Sequence, residues 1–135
     1  DDSTIARKQI QRVVESLGIQ TTVVKDGRQA LTYLEDMVAD GKDPYSELIM
    51  VISDIEMPEM DGYTFTTEVR KNPQLNELYI VLHTSLSGVF NESMVKKVGA
   101  NKFLAKFNPD ELARRVNKRI LEMTGEAIIE DEEDD

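Results

Sequence analysis

The chain contains no cysteine, which excludes disulfides and thiolate metal sites. It also lacks any long apolar run. The longest, Leu48 to Ile52, is far too short to cross a bilayer, and no basic-then-apolar secretory signal opens the chain. There is no basic footprint of the kind nucleic-acid binders carry, and no internal repeat. What remains is ordinary for a globular protein: 40% hydrophobic and 31% charged residues in a length of 135, enough for one domain with a buried core. A cytoplasmic location is expected.

The formal charge of −10 is unevenly spread. Residues 126–135 (EAIIEDEEDD) hold seven of the 26 acidic residues and none of the 16 basic ones, leaving 19 acidic against 16 basic in residues 1–125. A run of like charges repels itself and stays solvated. The expected organisation is therefore one domain over 1–125 and an acidic, disordered tail over 126–135, with an acidic docking tail as the other reading.

From Ser3 the apolar residues Ala6, Ile10, Val13, Val14 and Leu17 recur at helical spacing, with Ser3 placed to cap and Gly18 to stop a helix. The β-branched segment 19–24 (IQTTVV) predicts a strand. Asp26-Gly27 then turns the chain into a second helix with Ala30, Leu31, Leu34, Met37 and Val38 on one side, and Gly41 to Glu47 reads as a polar loop. Segments 48–53 (LIMVIS) and 79–83 (YIVLH) are apolar on consecutive positions, the pattern of strands covered on both faces. A helix ending near Asn72-Pro73 separates them. A short helix carrying Phe90, Met94, Val95 and Val98 precedes a last strand, 101–106 (NKFLAK). Pro109 then opens a final helix with Leu112, Val116, Ile120 and Met123 facing inward. The alternation predicts an α/β fold: a doubly wound parallel sheet with helices on both faces and its crevice at the carboxyl ends of the strands.

The residues at those ends share a chemistry. Asp54 ends one predicted strand, His83-Thr84-Ser85 the next and Lys106 the last, while Asp1 and Asp2 precede the first helix. Clustered carboxylates favour a hard divalent cation such as Mg²⁺. A carboxylate can act as a nucleophile and become an aspartyl-phosphate, and a metal, an ammonium and a hydroxyl can hold the oxygens of a transferring phosphoryl group. Singly, each has a plainer reading: a helix cap, a loop acid, a solvated lysine, a turn-forming threonine. Joint placement at four strand ends favours the chemical one.

The acidic pair at the start, ISDIEMPEMDG in the middle, HTS and FLAK later, and the spacing from Asp54 to Thr84 to Lys106 resemble the receiver domains of response regulators over residues 1 to about 124. Finer features (ARKQI, DGRQAL, LAKFNPDEL) resemble the receiver half of CheV-type chemotaxis coupling proteins, where the receiver follows a CheW-like adaptor domain. The resemblance implies a flavodoxin-like sheet of order 2-1-3-4-5. It implies Asp54 as phosphoacceptor, with Mg²⁺ held by Asp54, by Asp2 directly, by Asp1 through water, and by the backbone carbonyl of Glu56. Lys106 is then the ammonium that pairs with acceptor and phosphate, Thr84 the switching hydroxyl, and Phe103 the aromatic that rotates inward, a plain core position being the alternative for Phe103. The implied partners are a CheA-like histidine kinase as phosphodonor and receptor-array or adaptor proteins, with neither nucleic acid nor membrane insertion. The implied chemistry is Mg²⁺-dependent self-phosphorylation and dephosphorylation, without turnover of an external substrate.

The sequence departs from that pattern in places. No strand precedes Asp1, although the family's first strand lies inside the sheet, so an apolar strand upstream is expected. Rescue by residues 127–129 is the weaker reading. Phe107 follows Lys106 where many receivers have proline, which puts that loop in doubt. His83 reads as a packing residue, and Glu56 and Leu86 as residues that tune dephosphorylation. Two other functions compete. A vestigial receiver would be a constitutive interaction module, and an aspartate-nucleophile phosphatase or mutase would want a second Asp where Glu56 stands.

Overall fold

The computed structural model describes residues 2–56, 59–83, 92–104 and 109–124. Three helices precede the first strand among them, and strands and helices alternate from there: α1 (Asp2–Ser16), α2 (Gly27–Ala39), α3 (Pro44–Glu47), β1 (Val51–Asp54), α4 (Gly62–Lys71), β2 (Ile80–His83), α5 (Glu92–Val98), β3 (Lys102–Leu104) and α6 (Pro109–Thr124). The strands form one parallel sheet of order β1-β2-β3, in register as Val51 with Ile80, Asp54 with His83 and Leu82 with Phe103. The fold is flavodoxin-like α/β.

Alternation along β2 builds two cores. Ile80 and Leu82 join Leu34, Phe65, Val69 and Val95 in a cluster under α2, α4 and α5. Val81 turns to the opposite face, where it meets Val14 of α1 and Leu112 and Val116 of α6. All of β2 is buried, as the continuous apolar run 79–83 requires. Arg70 of α4 ties the first layer down. Its guanidinium donates to the carbonyls of Gly99, Asn76 and Leu78 and to Asn101 Oδ1, at 2.8–3.0 Å. Asn101 Oδ1 also accepts from the Ile80 N–H at 2.8 Å.

Five local expectations are corrected. The segment 19–24 is not a strand. A strand needs a neighbour to take its backbone hydrogen bonds, and a cavity that both line lies between this segment and β1. The sheet therefore shows only the last three strands of the 2-1-3-4-5 order among the described residues. The polar loop 41–47 contains a helical turn, because Asp43 accepts from the Tyr45 N–H and Pro44 sits at its first position. That turn takes the Leu48 N–H, so the strand begins only at Val51. Ser3 lies inside α1, which starts at Asp2. Met123 is 41% exposed, so Ile120 is the last residue of α6 to pack on the core.

Candidate functional site

Asp54 closes β1 at the carboxyl edge of the sheet. The ladder runs one step further, with the Ile55 N–H donating to the His83 carbonyl at 2.8 Å. The chain then turns so that the Glu56 N–H donates to Asp54 Oδ1 at 3.2 Å. Two glycines permit what happens next. A Cβ on Gly62 would lie 2.4 Å from the Asp54 carbonyl oxygen, and one on Gly27 would lie 2.5 Å from the Met60 carbonyl oxygen. Both approaches are closer than a Cβ allows, so only glycine lets α4 begin this near Asp54 and α2 this near Met60. Each start is capped: Asp26 accepts from the Gln29 N–H and Asp61 from the Thr64 N–H. The Asp54 backbone thus lies against the first turn of α4.

Burial pushes the Asp54 carboxyl up to about 6, opposed by the Glu56 N–H and reinforced by the Glu56 carboxylate. Across the ladder, burial lowers the pKa of His83, with Glu56 opposing it, which favours the neutral imidazole. His83 is 1% exposed, and neither ring nitrogen has a hydrogen-bond partner among the described residues. The residue read as strand-end packing is thus a buried polar group with unmet hydrogen-bonding capacity. Its type marked it as polar, but nothing in the sequence said that its neighbours would leave it unpaired.

Of the expected site residues, Asp54, Glu56 and the strand end at His83 come together here. Phe103 lies on β3 aligned with Leu82, half-buried against the larger core cluster. Asp1, Thr84, Leu86, Lys106 and Phe107 lie outside the described residues, as do the Asp2 side chain and residues 125–135. Among the described residues no three acidic or histidine groups gather as a metal site. The part that is described still fits a hard cation: its donors are oxygens, and a half-buried carboxylate beside a second one gains from a positive charge. No helix of the described residues is long and apolar enough to cross a membrane.

Comparison with known proteins points the same way. Residues 1–117 match the family model for the response regulator receiver domain. The chain is 32% identical to chemotaxis protein CheV3 of Helicobacter pylori over 119 residues, covering 87% of this chain and 38% of that protein. It therefore spans about two fifths of that relative. The signal receiver domain of a signal transduction histidine kinase from Syntrophus aciditrophicus superposes with a TM-score of 0.74 at 27% identity, covering 98% of this chain and 94% of that one. The receiver domain of sensor histidine kinase PA1611 from Pseudomonas aeruginosa, which has a magnesium ion coordinated in its active-site cleft, superposes at 0.70 and 26% identity, covering 89% and 92%.

Proposed function

The chain belongs to the response regulator receiver domain family, and from that premise we propose that Asp54 accepts a phosphoryl group from the phosphohistidine of a CheA-like kinase in a chemotaxis pathway. One observation carries this reading. Asp54 stands at the carboxyl end of β1, at a strand-to-loop junction that Gly62 lets α4 approach closely. An Asp54 carboxylate oxygen attacks phosphorus in line with the donor imidazole. The P–N bond breaks as the P–O bond forms, giving an acyl phosphate, and the imidazole leaves with the electron pair and takes up a proton from water.

Mg²⁺, when bound by Asp54, the Glu56 carbonyl, Asp2 and, through water, Asp1, supplies positive charge against the phosphoryl oxygens. Lys106 pairs with the acceptor and then with the phosphate, and Thr84 moves to a phosphoryl oxygen. Phe103 follows inward and alters a surface that meets receptor-array or adaptor proteins. The chain promotes its own modification and turns over no external substrate, and it acts in the cytoplasm.

The deciding experiment incubates the chain with acetyl phosphate and Mg²⁺ and follows intact mass. One added phosphoryl group, absent in Asp54→Asn and lost on chelation before labelling, is the expected result. No labelling would leave a constitutive interaction module, and continuous release of inorganic phosphate at a rate matching an enzyme would mean a phosphatase.

A further inference from the structure

Residues 126–135 carry seven acidic side chains and no basic one, and the phosphoryl chemistry makes no use of them. They lie outside the described residues, but α6 ends at Thr124, so they follow it almost directly. Much of the molecule repels such a segment. The loop after β1 presents Asp54, Glu56, Glu59 and Asp61, and the stretch from Glu35 to Glu47 holds five acids and one lysine. The layer formed by α1 and α6 is different. The two helices share a core that includes Ile10, Val14, Leu112 and Val116. Lys8 and Arg12 stand two residues before Ile10 and Val14, and Arg114 and Lys118 stand two residues either side of Val116. At about 100° per residue, each of the four is turned about 160° away from that core. Lys8, Arg12 and Arg114 are exposed and Lys118 is half-buried.

Spaced four apart, each pair forms a row along its helix. Asp110 and Glu122 stand at the two ends of the α6 row, and Glu122 is turned to Arg119 at 3.5 Å, so the middle of both rows is cationic. Helices in contact lie about 8–10 Å apart, close to the ~8 Å over which charge is felt at physiological salt. The two rows therefore act together on one polyanion. We propose that the outer face of α1 and α6 is a docking surface for an acidic peptide, and that its occupant is residues 126–135 of the same chain. Reach and tethering argue for this occupant. The eleven residues after Thr124 span up to about 36 Å when extended. The 16 residues of α6 are about 24 Å long, so the segment can return over the whole row. Attached this near, it stands at an effective concentration on the order of millimolar, and several individually weak surface pairs then suffice. Lys96, Lys97 and Lys102 form a rival cationic patch on α5 and β3, but the segment leaves α6, whose packing partner is α1. An acidic partner that approaches this face must displace the segment, which acts as an internal competitor.

The test is zero-length carbodiimide coupling of carboxylates to lysine amines in the whole chain, read by peptide mass spectrometry. An equal mixture of unlabelled and heavy-isotope protein separates links within a chain from links between chains. Lys118 is close to the segment along the chain in any case, so Lys8 on α1 decides. Links from residues 126–135 to Lys8 are expected within single chains. They should exceed those to Lys25, Lys42, Lys96, Lys97 or Lys102 roughly tenfold and vanish in roughly 1 M salt, where charge is screened within ~3 Å. Arg12→Glu, a surface change that leaves the fold alone, should reduce the Lys8 links several-fold with the melting temperature unchanged. Lys8 links no more abundant than those to the other lysines, or indifferent to salt or to Arg12→Glu, overturn the proposal. Links that join only unlabelled to heavy chains overturn the choice of occupant in favour of a second copy.

Discussion

Asp54 and His83 face each other across the β1–β2 ladder, and burial favours the neutral form of both: it raises the acid and lowers the base. For Asp54 the consequence is a pH-dependent cost. Its folded-state pKa, about 6, lies above the ordinary carboxyl value of 3.8, so the folded chain holds the proton more tightly than the unfolded one. The resulting stabilisation is present at low pH and disappears as pH rises from about 4 through 6. Asp54→Asn should therefore match the parent in urea unfolding at pH 4 and exceed it at pH 7.5. The gain should be on the order of 1 kcal/mol, since solvent screens a half-exposed group. Adding Mg²⁺ should stabilise the parent and leave the variant unmoved; equal stabilisation of both would place the ion elsewhere. Gly62→Ala tests the neighbouring constraint. The added methyl meets the Asp54 carbonyl, an overpacking worth about 1–3 kcal/mol, and acetyl phosphate labelling should slow with it. An unaltered melting temperature and labelling rate would show that α4 can shift at no cost.

At the scale of elements, what could be read from the sequence depended on whether the signal was local. The buried strand 79–83 and the helices before Gly18 and after Asp26-Gly27 carry their own pattern, and each stands within a residue or two of where periodicity put it. The turn at Pro44 was missed because its cue, Asp43 capping Tyr45, sits in a stretch without apolar periodicity. The failure at 19–24 is of another kind. Those residues favour extension, but a strand is defined by its partner, and no described strand lies beside them. In the candidate site, Asp54 was legible from its place after an apolar strand. The close approach of Gly27 to Met60 depends on a residue far along the chain, as does the isolation of His83. Arg70 shows the same limit. Nothing in TTEVRK marks it as the residue that joins α4 to the turn before β2 and to β3's approach. Arg70→Met keeps the stem and removes the donors, and should cost about 2–3 kcal/mol in denaturant unfolding through the acceptors left unpaired. Arg70→Lys should recover only part of that, because an ammonium cannot reach four acceptors in one plane. Full recovery by lysine would mean that charge, and not the fork, holds the layer.

On the scale of the whole molecule, β2 is the element both layers depend on. Ile80 and Leu82 supply the core beneath α2 and α4, Val81 supplies the one beneath α1 and α6, and the strand is hydrogen-bonded on both edges. Neither layer can keep its apolar face covered if β2 leaves, so opening of one layer should carry the other with it. Leu82→Ala makes this measurable. The residue is fully buried, and truncation should cost about 2–5 kcal/mol, a large part of the stability of a domain this size. Although Leu82 belongs to the first core only, the exchange rates of Val69 in α4 and Val116 in α6 should rise by the same factor. A rise confined to α4 would mean that the helices on the two faces unfold independently, with β2 a shared boundary between them and not a common support.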